Sequence, residues 1–390
     1  MLNIVGGTYH EFCKEPTYHD LYGSGLRAAA ALSGREIEIL LYSCIDEIDY
    51  DLAKLKSRTF NFNCKYQIIQ ETAQFHYQHP LSKPYLSNCD NSCVLNDLTG
   101  EYFLYFGMAE ANVKIDSEYL VYDPQNCTEF SETQCRTKHL AIVLNRDEAF
   151  ILGHYQTKDL DALGFSLLLS QHAEVIVIKN GSKGAKVFFN GEHKDIPVYR
   201  TDEIWPIGSG DIFSSFFALN WMIMKKSPFE SANIASLMTA NYCKFKTLPL
   251  KTVIDYEPIK KRVKNKIYLA GPFFSIEQRW LITEIRSILL DFDNEVFSPY
   301  HDVGLTEDPL IDSEYIANCD IDQLMKSDKI LAVLNTPDIG TVYEIGFARA
   351  KNKEVIIFTQ NIAEDDLLML RGTNCFITSD FSTAIYQASW

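Results

Sequence analysis

The chain has 390 residues, more than one ordinary domain holds, and 46% of them are hydrophobic, so two separate cores are expected. A formal net charge of -16 argues against a nucleic-acid polymer as partner, because no basic stripe tracks a phosphate backbone. The ten cysteines are scattered, with Cys89 and Cys93 the only close pair in sequence. No second pair or histidine cluster completes a metal site, so free thiols in a reducing cytoplasm are expected.

Leu2 to Gly6 reads as a short apolar strand ending on Gly6-Gly7, a common opening of α/β domains that bind nucleotides or sugars. Gly23-Ser24-Gly25 precedes an alanine-rich helix, Leu26 to Leu32, and Glu36 to Tyr42 follows as a strand. From Ser57 to Val94 aromatic and polar residues alternate, broken by Pro80 and Pro84, which predicts antiparallel strands in a lid or small sheet. Strand patterns over YFLYFGM, YLVYDPQ and HLAIVLN then lead to a helix at Asp159 to Ser170 and a strand at Glu174 to Lys179. Gly181 and Gly184 mark a turn before Lys186 to Phe189. Such alternation predicts a mostly parallel sheet covered on both faces. The N-terminus has no signal-peptide pattern, and the longest apolar run, Phe213 to Met224, is too short to span a bilayer. A soluble cytoplasmic protein is expected.

Gly208-Ser209-Gly210-Asp211 opens the apolar helix that runs to Met224. Glycines at a helix start let the first amides converge on an anion, and the helix dipole favours negative charge there. Asp211 is then either a plain helix cap or a carboxylate placed to take a proton from an attacking hydroxyl. Over nearly its whole length this half resembles the ribokinase (PfkB-type) family of sugar and nucleoside kinases. The resemblance implies that Asp211 is the catalytic base and that Gly208, Ser209 and Gly210 form the anion-binding turn. Asn145-Arg146-Asp147-Glu148 matches the family's N-x-x-E motif, which implies that Asn145 and Glu148 organise Mg2+ and the ATP phosphates through water. Asp123-Pro124 matches the D-P-N turn, Ile178 to Gly184 a strand-turn lining the nucleotide site with Gly181 and Gly184, and Gly23 and Gly25 a sugar-contacting di-glycine. The chain also departs from the family. Trp205-Pro206 stand where Asp-Thr is usual, Glu11 stands for the aspartate that grips a sugar hydroxyl, and Arg27 lies near the place of an asparagine. The phosphate half is kept better than the sugar half, which implies an altered acceptor, with a binding-only domain as the alternative.

A polar, basic join at Glu257 to Lys266 sets the expected domains at 1–262 and 265–390. Beyond it, Asp320 to Ser327 reads as a helix tail, Lys329 to Leu334 as a strand, Thr336 to Gly340 as a turn, and a helix starts near Thr341 before another strand at Glu354 to Phe358. A loop holding an acid between strand and helix is where open α/β sheets build sites. Glu344 falls in the first turn of that helix, where Thr341-Val342-Tyr343-Glu344 also fits a capping box that needs no function.

Ile267-Tyr268, Gly271, Phe274, Asp320, Pro337-Asp338, Gly340, Glu344, Gly346 and Ala348 resemble, in order and spacing, the nucleoside 2-deoxyribosyltransferase family over the last third of the chain. The resemblance implies a flavodoxin-like parallel α/β domain in which Glu344 attacks the anomeric carbon and holds the sugar as an ester. Asp338 would handle the base and its proton, Asp320 the sugar or base, and Tyr268 the position of Glu344. An oxocarbenium-like centre suits this set, since it needs an anion on one face and a protonated leaving group on the other. Gly271, Phe274 and Gly340 would line the substrate. Ser275 and Arg279 are candidates for a 5′-phosphate, against their plain reading as a cap and a solvated charge. No cofactor is expected in this half. The resemblance further implies a homo-oligomer, with Thr373-Asn374-Cys375 completing a neighbour's site and the apolar tail Phe376 to Trp390 buried at an interface. The whole reads as a bifunctional enzyme of nucleoside or nucleotide metabolism: glycosyl transfer in one half, phosphate transfer from ATP with Mg2+ to a sugar or nucleoside hydroxyl in the other. The alternative is a hydrolase that depletes a nucleotide pool, with the kinase-like half as a nucleotide sensor.

Overall fold

The computed structural model describes residues 1–89, 93–125, 127–250, 254–259, 264–304 and 312–390. The chain divides into two units, Met1–Thr201 with Trp205–Ile259, and Asp202–Ile204 with Lys260–Trp390.

The first unit is built on a nine-stranded sheet. Its spatial order is Glu192–Ile196, Ala185–Phe189, Val175–Lys179, Arg136–Asn145, Ala111–Asp123, Cys93–Phe106, Leu2–Val5, Ile39–Ile45 and Asn63–Ile68. Only the pairings of the first three strands in this order are antiparallel. The central strands read as unbroken apolar runs, such as Leu2–Val5 and Val175 to Ile178, because apolar clusters cover both faces. Helix Gly23–Leu32 is buried at every position, and its run Ala28 to Ala31 has no bulk to hold it off its neighbours. The stretch Ser57 to Val94 divides differently from expectation. Asn63–Ile68 extends the large sheet as a parallel edge strand, while Gln74–Tyr77 and Tyr85–Ser87 join His10–Cys13 and Tyr18–Leu21 in a separate four-stranded sheet. That small sheet mixes parallel and antiparallel pairs.

The second unit holds an all-parallel five-stranded sheet in the order Glu295–Phe297, Lys266–Ala270, Lys329–Val333, Glu354–Phe358 and Phe376–Thr378. The first strand in sequence lies between the second and third, so the chain reverses direction across the sheet between Lys266–Ala270 and Lys329–Val333. Ligands of such sheets bind at the carboxyl ends of the strands beside that reversal. The tail from Phe376 to Trp390 has its own explanation inside this unit. Phe376–Thr378 is the sheet's edge strand, and Phe381, Ile385, Ala388 and Trp390 of the last helix and its end are core residues, with Phe381 against Phe358 and Tyr386 against Phe292. Its apolar character is therefore spent within the unit, and no subunit interface is needed to account for it.

All ten cysteines are free thiols, and those that meet are Cys44 and Cys93, with Sγ atoms 2.8 Å apart. Among the described residues no helix is long and apolar enough to cross a membrane.

Candidate functional site

In the second unit the carboxyl ends of Lys266–Ala270 and Lys329–Val333 lie side by side. A Cβ on Gly271 would come within 2.7 Å of Ile282 Cδ1 and 3.1 Å of Val333 Cβ, so the chain turns out of the first strand where only glycine fits. Helix Ile339–Ala350 leaves the neighbouring strand's loop, burying Thr341, Ile345 and Ala348 at helical spacing. Its N-cap is Asp338, whose Oδ2 accepts from the Thr341 amide at 2.7 Å and the Thr341 hydroxyl at 2.6 Å. This corrects the expected helix start near Thr341. Glu344 lies in the second turn, cannot close a capping box on Thr341, and turns instead to Tyr268, whose hydroxyl donates to Glu344 Oε1 at 2.5 Å. Tyr268 is fully buried on its strand and fixes that bond's geometry.

The acids Asp320 and Asp338 lie close enough to raise the Glu344 pKa. Burial is the largest cause, the Tyr268 bond opposes it, and the result is a carboxyl pushed up to about 7. Burial likewise pushes Asp320 up to about 6. Asp320 Oδ1 is buried without a hydrogen-bond partner, and both bonds to Asp338 fall on its Oδ2. Each acid thus has an oxygen that no protein donor satisfies among the described residues. Tyr268→Phe is expected to lower turnover about 10–100-fold, as loss of one positioned hydrogen bond does at a reacting group. It also removes a bond that favours the ionised carboxylate, so the acid limb of the pH–rate profile should move to higher pH. An unchanged profile would contradict the assignment.

The expected phosphate contacts are otherwise engaged. Ser275 caps helix Ile276–Asp291 in a capping box with Gln278. Arg279 Nε donates to the Phe273 carbonyl, in the loop after Gly271, at 2.8 Å. Phe274 is exposed beside them and Gly340 is exposed in the first helical turn. The Thr373 hydroxyl bonds the Met369 and Leu370 carbonyls of its own unit.

In the first unit, Asp123, Asn145 and Lys179 are the last residues of three adjacent parallel strands, which places all three at one edge of the sheet. Lys179 Nζ donates to Asp123 Oδ2 at 2.8 Å, and the Ser214 hydroxyl donates to the same oxygen at 2.6 Å. Asn145 and Glu148 satisfy each other in a capping box: Asn145 N donates to Glu148 Oε2 at 2.7 Å, and Glu148 N to Asn145 Oδ1 at 2.9 Å. Burial and then Asp123 push the Glu148 carboxyl up to about 7. Gly181 and Gly184 close the turn after Lys179, where Asn180 N donates to the Gly184 carbonyl at 2.7 Å. Helix Ser209–Ala218 starts after Gly208, which holds a left-handed φ of 77°, and a Cβ on Gly210 would lie 3.5 Å from Lys179 Nζ.

A cavity of about 470 Å³ is lined by Asn145, Glu148, Gly208 and Gly210 together with Glu11, Arg27 and Asp211, and the last three form one charged cluster. Arg27 is 1% exposed, donates from Nη1 to Glu11 Oε1 at 2.8 Å and from Nη2 to Glu11 Oε2, and reaches Asp211 Oδ2 from Nη1 at 2.9 Å. Gln125 Nε2 donates to Asp211 Oδ1 at 2.9 Å. Burial raises the Asp211 carboxyl to about 6, with Arg27 pulling the other way. Gly23 and Gly25 bring their helix onto the first strand's loop, and a Cβ on Gly25 would meet the Gly6 carbonyl at 2.5 Å. Removing one member of a buried ion pair costs about 3–5 kcal/mol.

No direct Mg2+ ligand set is grouped at these side chains: among the described residues no three His, Cys, Asp or Glu side chains are grouped to hold a metal, and Asn145 and Glu148 are turned to each other.

Residues 267–373 match the family model described as nucleoside 2-deoxyribosyltransferase. The second unit carries a nucleoside 2-deoxyribosyltransferase-family domain. No curated protein matches the chain significantly. Solved structures similar to it include a pyrophosphate-dependent myo-inositol-1 kinase converted into a myo-inositol-3 kinase (15% identity, 64% of this chain, 95% of that chain, TM-score 0.49). Others are a ribokinase from Thermotoga maritima (14%, 62%, 91%, 0.45) and a Burkholderia thailandensis nucleoside kinase in complex with inosine (14%, 62%, 90%, 0.46).

In the deoxyribosyltransferase-family domain the structure brings together Tyr268, Asp320, Asp338 and Glu344, from one strand, two helices and a loop end. In the first unit, sequence pattern does not single out Gln125 or Glu110. Gln125 follows the quoted Asp123-Pro124 by one residue, and only the fold shows that it reaches Asp211. Glu110 ends an apolar run, lines the same cavity, and has a buried Oε1 without a partner.

Proposed function

We propose that the chain is an enzyme of nucleoside or nucleotide metabolism whose second unit cleaves and exchanges the N-glycosidic bond of (deoxy)nucleosides. The Tyr268–Glu344 hydrogen bond of 2.5 Å, beside two further acids, supports this reading most directly. Glu344 attacks the anomeric carbon, the bond to the base nitrogen breaks with its electron pair leaving on the base, and the sugar stays as an ester of Glu344. With its pKa near neutrality the carboxyl is substantially ionised at pH 7, as a nucleophile requires. Asp338 supplies the base's proton and recovers it when a second base attacks. Transfer is favoured over hydrolysis of 5′-monophosphates because Arg279, the candidate phosphate ligand, is committed to the Phe273 carbonyl. The first unit binds a nucleoside or nucleotide, ATP among the candidates, the class of small molecule on which the second acts. Exposed apolar residues on the second unit, among them Phe274, Trp280, Ile339 and Tyr343, suit contact with a second copy.

The deciding experiment supplies a deoxynucleoside and a labelled free base, then compares swapped nucleoside with free sugar. Swapped product should dominate at saturating base. Free sugar alone, together with an Arg279→Ala variant selectively impaired on 5′-monophosphates, would establish the hydrolase instead.

A further inference from the structure

We propose that Arg27 makes the cavity of the first unit a site that binds its nucleoside or nucleotide without phosphorylating it, a proposal resting on the reading of that unit given above. Phosphoryl transfer to a hydroxyl joins the acceptor oxygen to phosphorus while the bond from phosphorus to the leaving phosphate oxygen breaks. The hydroxyl proton must pass to a carboxylate. Asp211 sits at the right place for that task, in the first turn of a helix that starts on glycine. Yet its Oδ2 is held by Arg27 at 2.9 Å and its Oδ1 by Gln125 at 2.9 Å. Glu11, the other acid of the cluster, gives both its oxygens to the same guanidinium. An incoming hydroxyl therefore meets a cation and two carboxylates whose every oxygen already accepts a hydrogen bond, so Asp211 is both screened by Arg27 and poorly open to a new donor.

The arrangement is built into the backbone. A Cβ on Gly208 would stand 2.2 Å from Arg27 Nε, so the left-handed glycine that starts the helix is also what admits the guanidinium. Tyr22 lies under the same guanidinium, with its ring centroid 5.3 Å from Arg27 Cζ. In the same unit, Asn145 and Glu148 cap each other and Lys179 is paired with Asp123. Each of these charged side chains is thus already engaged, although Arg27 Nε, Asp123 Oδ1 and Glu110 Oε1 are buried without a partner among the described residues.

The test uses the full chain. Calorimetry with ATP and with adenosine measures binding, and transfer of label from the γ-phosphate of ATP with Mg2+ to a panel of nucleosides and sugars measures turnover. Wild type should bind at least one probe and form no more labelled product than Asp211→Asn. The double variant Arg27→Asn/Glu11→Gln removes one cation and one anion, keeps the buried charge balance, and releases Asp211 Oδ2 while Gln125 stays on Oδ1. It should raise transfer at least tenfold over wild type, and adding Asp211→Asn should abolish the gain. Labelled product from wild type that Asp211→Asn cuts tenfold or more overturns the proposal. So does a double variant that folds, binds as wild type does and stays at the wild-type level. If the double variant does not fold, the comparison of wild type with Asp211→Asn decides alone. If neither ATP nor adenosine binds, the proposal is overturned. Base release measured in the same preparations reports only on Glu344, so failure of the glycosyl-transfer reading shows separately.

Discussion

Glu344→Gln is expected to abolish base release and exchange, lowering kcat/KM by about 10⁴ or more, because an amide cannot form the glycosyl ester. The variant should also be more stable than wild type at pH 8. The wild-type carboxyl has a folded pKa of about 7, above its ordinary 4.5, chiefly from burial. The folded state therefore binds more protons than the unfolded state between those values, and wild-type stability falls as pH rises from about 4.5 to about 7. Above that window the loss is complete. Discounted for solvent at the site's mouth, it amounts to about 2 kcal/mol. Glutamine carries no such cost and keeps an oxygen for the Tyr268 hydroxyl. Urea unfolding should thus show the two proteins alike at pH 4 and the variant ahead at pH 8. Turnover within tenfold of wild type sinks the nucleophile assignment. Equal stability at both pH values would show that the carboxyl is not under the burden its burial implies.

This trade of stability for reactivity explains which parts of the site are legible in the sequence. The strands around it are apolar runs whose period and punctuation can be read directly, and Lys329–Val333 and Glu354–Phe358 fall where the pattern puts them. The start of the helix carrying Glu344 does not, because Asp338 and Thr341 are both good caps and the local pattern cannot choose between them. Asp338 caps, Thr341 becomes its partner through both amide and hydroxyl, and Glu344 moves a turn inward to Tyr268. The first unit shows the opposite limit. Glu11, Arg27, Gln125 and Asp211 are separated by up to 200 residues, so their union is invisible to any local pattern. Glu11, Arg27 and Asp211 can each be singled out without revealing that they neutralise one another. The apolar tail misleads for a related reason: amphipathic pattern reports that a face is buried but not against what. Here it is buried against Phe358 and Phe292 of its own unit.

Arg27→Met should destabilise the first unit by about 3–5 kcal/mol, the range for removing one partner of a buried ion pair. Arg27 and Glu11 are each 1% exposed, so neither water nor a rearranged side chain can replace the lost guanidinium. Two carboxyls are then buried without a cation. Arg27 holds the Asp211 pKa down against the burial that lifts it to about 6, so its loss lifts that pKa further. An acid with a raised folded pKa stabilises the protonated side of the titration, and the variant should lose stability progressively as pH rises from about 4. The gap between variant and wild type is therefore expected to widen between pH 5 and pH 8. Arg27→Met/Glu11→Gln removes a cation and an anion together and should recover more than half of the single variant's loss at pH 8, since a neutral pair of similar volume replaces a charged one at little cost. Denaturant midpoints for the three proteins at the two pH values measure all of this. A single variant within about 0.5 kcal/mol of wild type, the ordinary scatter of surface substitutions, would mean that the cluster's charges are solvated in solution. Asp211 would then be free to accept a proton.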